Sequence, residues 1–78
     1  MQTDLWLFIE TILSIKGVSE VGTPLSSNGC SVRFFSGLSG RKVMIDCSDD
    51  TIYVRTAKDY LAQLGCREYI SRLFPPNN

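Results

Sequence analysis

Arg33, Phe35, Arg41, Lys42, Tyr53 and Arg55 are the residues of this 78-residue chain whose types and spacing most suggest chemistry. Flat rings interleaved with cations are the ingredients of nucleic-acid recognition, in which bases stack on aromatics and phosphates meet positive charge. The remaining reactive types are less organised. "DCSDD", residues 46–50, offers three carboxylates but no central glycine and no alternating ligand spacing, so it reads as a turn former and not as a calcium loop. Cys30, Cys47 and Cys66 lie too far apart for a metal knuckle, and they read as small apolar residues in a reducing compartment. Histidine is absent, which removes the commonest general base and the commonest zinc ligand together. No catalytic residue, metal site or cofactor is expected, and the chain is not expected to be an enzyme.

Charge weighs against the nucleic-acid reading. Eight basic and eight acidic residues cancel, whereas a protein that neutralises phosphates ordinarily carries a basic excess. A near-neutral small protein also has little electrostatic protection against association, which favours complexes or a homodimer. The chain is long enough for a single domain over 1–78, and its 44% hydrophobic content is sufficient for a small core. The apolar start, "MQTDLWLFIETILSIK", lacks the positive opening of a secretory leader and is interrupted by Glu10, so neither a leader nor a membrane span is expected. The expected location is cytoplasmic.

The elements that must position these residues follow from periodicity. Thr3 is placed to cap a helix beginning at Asp4 and ending at Gly17. At about 100° per residue, Leu5, Phe8, Ile9, Ile12 and Ile15 share one side, with Trp6 and Leu13 on a flank and Leu7 in the polar arc. That is more apolar surface than one sheet contact needs, so Trp6, Leu7 and Leu13 are candidate partner-binding residues unless the carboxy-terminal segment covers them. Residues 18–29 read as a loop with a short strand, closed by an Asn28-Gly29 turn. Three strands follow in "CSVRFF", "RKVMIDC" and "TIYV", joined by hairpin-length connections. The period of two assigns Cys30, Val32, Phe34, Val43, Ile45, Cys47, Ile52 and Val54 to the core face. Ser31, Arg33, Phe35, Lys42, Met44, Asp46, Tyr53 and Arg55 then make the outer face.

In "TAKDYLAQLGCREYISRLF", Tyr60, Leu61 and Leu64 fall on one helical side, and Tyr69, Ile70, Leu73 and Phe74 on the opposite side. A left-handed break at Gly65 lets both groups turn inward, giving two short helices near 57–64 and 67–74. The segment "T-A-K-D-Y-L-A-Q-L-G" followed by "I-S-R-L" resembles the lactose-repressor type of DNA-binding unit over about a quarter of the chain. It departs in the spacing of Ala62 from Gly65 and in a second helix one residue short, which would offer Arg67, Glu68, Ser71 and Arg72 to DNA. "GLSG", residues 37–40, has the form of a KH-type phosphate loop but lies between strands, as a hairpin turn does. The element order resembles the double-stranded-RNA-binding-like fold of the HicA family of RNA-cleaving toxins. The catalytic His of that family has no counterpart here.

The expectation is thus an α+β fold of α-β-β-β-α order. An amino-terminal helix packs on a three-stranded antiparallel sheet, and the carboxy-terminal helix is broken at Gly65. The expected function is protein–protein binding or self-association through Trp6, Leu7 and Leu13. RNA binding on the outer sheet face, or divergent helix-turn-helix DNA binding, is the alternative.

Overall fold

Asp4 begins the first helix. Its carboxylate accepts the Trp6 backbone N–H at 2.9 Å, satisfying a donor that helix geometry leaves open. The cap therefore falls one residue later than Thr3, because the preceding residues are held extended by strand pairing. The computed structural model describes residues 2–76, with the order β1 (Gln2–Asp4), α1 (Leu5–Ser14), β2 (Ser19–Glu20), β3 (Leu25–Ser27), β4 (Cys30–Ser36), β5 (Lys42–Asp46), β6 (Thr51–Tyr53), α2 (Val54–Gln63), a 3-10 turn (Arg67–Tyr69) and α3 (Ile70–Leu73). The fold is α+β with antiparallel strands, as the periodicity indicated.

The strand arrangement differs from a single three-stranded sheet. β6 does not pair with β5 and instead forms a two-stranded ladder with β1. β4 is the centre of the other sheet, with β5 on one side. Its other side is taken by β2 along Phe35–Ser36 and by β3 along Val32–Cys30. β2 and β3 behave as one edge strand interrupted around Gly22-Thr23-Pro24, where proline cannot donate to a ladder. The segment read as a loop thus supplies a whole sheet edge. It turns into β4 at Asn28 and Gly29, both with positive φ (51° and 80°), as a tight hairpin of this hand requires.

The faces of β4 are also reversed relative to the alternation argument. Phe35 pairs with Val43 and is fully buried, and Arg33 pairs with Ile45 on that same inner face. Val32 and Phe34 lie outward beside Asp46 and Met44, and Cys30 is exposed. With Phe at both 34 and 35, period-two counting separates the two faces only weakly, by the extra apolar residues Cys30 and Val32 on the Phe34 side. The fold instead accommodates Arg33 at the inner face by giving it a carboxylate partner.

The core gathers Phe8, Ile9 and Ile12 of α1, Phe35, Val43 and Ile45 of the sheet, and Ala57 and Leu61 of α2, together with Leu64 and Cys66. The phase jump in the carboxy-terminal segment is resolved at Gly65, whose φ is +82°. The Gly65 N–H donates to the Ala62 carbonyl at 3.1 Å, and the Cys66 N–H donates to the Leu61 carbonyl at 2.8 Å. This is the paired closure of a Schellman motif. The β4–β5 turn completes it. The Ser39 N–H donates to the Leu64 carbonyl at 3.1 Å, and Ser39 Oγ donates to the Gln63 carbonyl at 2.6 Å. Val54 and Arg55, read from sequence as strand, are the first turn of α2, whose Ala57 and Leu61, with Leu64 at its end, follow helical spacing toward the core.

Candidate functional site

The inner sheet face is not covered along its whole length. Where α1 begins, the gap between helix and sheet opens as a cleft of about 270 Å3. Leu5, Trp6 and Ile9 of α1 and Pro24 at the break in the edge strand form its apolar walls. Ser31 and Arg33 of β4, Cys47 just after β5, and Asp50 supply its polar groups. Alternation brings Ser31, Arg33 and Cys47 together, since Ser31 stands opposite Cys47 and the Cys47 N–H donates to the Ser31 carbonyl at 2.6 Å. A second hollow, along α2 and α3 and lined by Lys58, Arg67, Ile70 and Phe74, is wide and shallow.

Arg33 organises the cleft. Its Nε donates to Glu20 Oε2 at 2.8 Å and its Nη2 to Glu20 Oε1 at 2.6 Å, a two-bond fork between neighbouring strands. The same guanidinium carbon lies 5.8 Å from the Trp6 ring centroid and 5.5 Å from that of Phe35. Such distances fall within cation–π range. The hydrogen bonds from Arg33 hold the Glu20 carboxyl below its ordinary range, and the same bonds push the Arg33 value up. Burial pushes the Cys47 thiol up despite the nearby guanidinium. That direction is the opposite of the one by which a setting activates a cysteine thiol.

The carboxylates of residues 46–50 are turn formers. Asp46 Oδ1 accepts the Ser48 N–H at 2.9 Å, and Asp49 Oδ1 accepts the Thr51 N–H at 3.1 Å. Among the described residues no group of three or more Cys, Asp or Glu side chains is placed to hold a metal ion. Among them, too, no helix is long and apolar enough to cross a membrane.

Comparison with protein-family models, curated proteins and solved structures gives no significant match. Geometry alone carries the functional reading.

The basic and aromatic residues singled out from the sequence do not share one surface. Phe35 is in the core, and Arg33 beside it is engaged with Glu20. Arg41 lies beyond the hairpin turn, and Lys42 faces outward with its Nζ 4.9 Å from the Phe34 ring centroid. Tyr53 is exposed on the separate two-stranded ladder, and Arg55 is on α2. The α2–α3 unit departs from a DNA-reading pair, since a 3-10 turn and a four-residue helix replace a continuous recognition helix.

The apolar candidates on α1 divide as well. Trp6 is 62% exposed at the cleft, and Leu13 is 37% exposed on the same flank. Leu7 lies on the other side, in a small hollow with Leu73 and Phe74, and remains 61% exposed. The carboxy-terminal segment packs on α1 through Phe74 and Phe8, whose ring centroids are 6.5 Å apart, and leaves Trp6 uncovered. Sequence reasoning missed Glu20, Pro24, Ser31, Cys47 and Asp50 as parts of the site. The one available signal was Glu20 in a segment of strand-like "VSEV", able to answer an inward Arg33.

Proposed function

We propose that this protein is a non-catalytic binding module whose partner is another protein, anchored by an apolar side chain inserted beside Trp6. The observation that carries this reading is a large aromatic left mostly exposed at the mouth of a cleft and approached from below by a charge-paired arginine. Interface hot spots are typically large aromatics in pockets that become fully desolvated on binding. The cleft volume also favours this reading. At about 270 Å3 it falls below the ~300–1,000 Å3 of small-molecule pockets, so it suits a side chain better than a metabolite. The thiols of Cys30, Cys47 and Cys66 are all free, which fits a reducing, cytoplasmic compartment.

RNA binding receives less support, because its residues are dispersed over both sheet faces, the turn and α2. Affinity capture from the source cell, with and without nuclease, separates the two readings. A protein retained after nuclease by the native chain and by Tyr53→Ala, but not by Trp6→Ala, is the expected result. An interaction lost to nuclease, to high salt and to Lys42→Ala, while Trp6→Ala binds normally, overturns it in favour of RNA.

A further inference from the structure

The two edges of the β4-centred sheet are built differently. The edge formed by β2 and β3 is interrupted, and Pro24 lies in the interruption. β5, by contrast, is five residues of uninterrupted strand, "KVMID", with no proline and no glycine. Protected edges carry prolines, bulges or inward-pointing charges. β5 has no proline, bulge or inward-pointing charge, since its inward residues are Val43 and Ile45. The guards it keeps are its shortness and the outward charges Lys42 and Asp46, which oppose each other's sign in a self-paired strand.

The direction of the β5 backbone groups follows from two hydrogen bonds. The Cys47 N–H donates to Ser31 of β4, so the odd-numbered residues of β5 direct their N–H and C=O groups at β4. On the far side of β4, the Phe34 carbonyl accepts the Val21 N–H, which fixes the same alternation independently. Lys42, Met44 and Asp46 therefore turn their backbone donors and acceptors toward the open edge. Among the described residues no strand pairs there.

We infer that this edge pairs with the β5 edge of a second copy of the chain, antiparallel and centred on Met44. The strand is complementary to itself in that register. Lys42 stands opposite the partner's Asp46, Met44 opposite the partner's Met44, and Asp46 opposite the partner's Lys42. These are the residues whose backbone groups face the edge, so each pair exchanges two backbone hydrogen bonds. The side chains of the three residues lie on the outer face, where opposite charges directly across a ladder are favourable and like charges are not. A one-residue slip would oppose inward-facing to outward-facing side chains, and a two-residue slip would keep the faces but lose both Lys42–Asp46 pairs, so the register centred on Met44 is the favoured one. The contact is short, and the dimer forms and dissociates with concentration. It lies on a different surface from the Trp6 cleft and goes beyond the reading given above.

The test uses sedimentation equilibrium of the full chain over a dilution series. The native chain gives a monomer–dimer equilibrium. Lys42→Asp opposes Asp to Asp and Asp46→Lys opposes Lys to Lys, so each variant alone is shifted at least tenfold toward monomer. Mixing the two variants restores opposite charges at both positions and restores association to near the native level, which a misfolded variant would not do. A native chain that stays monomeric, or single variants that dimerise as the native chain does, overturns the inference. So does a mixture that fails to associate when circular dichroism shows both variants folded. Trp6→Ala leaves this equilibrium unchanged, so failure here is distinguishable from failure of the cleft reading.

Discussion

Arg33 and Glu20 meet through two hydrogen bonds of 2.8 and 2.6 Å, and this fork lets a guanidinium occupy the inner face of the sheet beside the fully buried Phe35. An unpaired charge at that position would be costly, since desolvation penalises a buried ion that lacks a partner. The pair is partly solvated, so its net contribution is moderate. Its structural role is to let Arg33 stand on the Phe35 face of β4 and to carry a cation beneath Trp6.

Glu20→Gln is expected to destabilise the fold by about 1 kcal/mol at neutral pH, as measured by urea denaturation. The native pair also has a defined pH dependence. The Glu20 carboxyl is held below its unfolded value, so its contribution is complete above that value, near ~4.3, and is lost as pH falls through the lower folded value. Glu20→Gln therefore shows a shallower loss of stability in acid. Identical acid limbs for the two proteins would show that the pair contributes nothing.

The sidedness of β4 separates two neighbouring phenylalanines. Phe35→Ala is expected to cost about 3–5 kcal/mol, the range for deleting a fully buried ring. Phe34→Ala, on the open face beside Met44, should cost less than about half of that. Thermal or urea denaturation measures both. A reversed order would restore the face assignment that alternation alone suggests.

The parts of the fold legible in the sequence were those with a strong period or a single-purpose residue. The face of α1 could be read because Leu5, Phe8, Ile9 and Ile12 repeat at helical spacing. Gly65 could be read because no single straight helix buries both Leu61 and Ile70. The pairing of β6 with β1, and the edge strand formed by β2 and β3, could not. Two- and three-residue strands are too short for alternation to show, and they exist through partners distant in the chain. The candidate site was legible only at Trp6. Its polar side depends on the direction of Arg33, and that depends on a choice between Phe34 and Phe35 that only the assembled core makes.

Gly65→Ala tests the junction between α2 and the carboxy-terminal turns. A Cβ at this position would lie 2.6 Å from the Ser39 nitrogen, in a backbone conformation of φ +82° that side chains disfavour. The expected loss is about 2 kcal/mol or more, from strain and from disruption of the Ser39 contacts to Gln63 and Leu64. Ser39→Ala retains the backbone bond and should cost about 1 kcal/mol or less. An unchanged melting temperature for Gly65→Ala would mean that the break is not required.

Trp6 is the single tryptophan of the chain, and so its fluorescence reports on the cleft without labelling. The central measurement is a titration of the native protein with its purified captured partner, following Trp6 emission and its quenching by iodide. Burial of a side chain that is 62% exposed in the free protein should shift the emission to shorter wavelength and protect it from quencher, both saturating at the affinity found by calorimetry. Trp6→Ala should weaken that affinity by at least about 2 kcal/mol, roughly thirtyfold. Emission and quenching that stay unchanged while calorimetry records full binding would contradict the account.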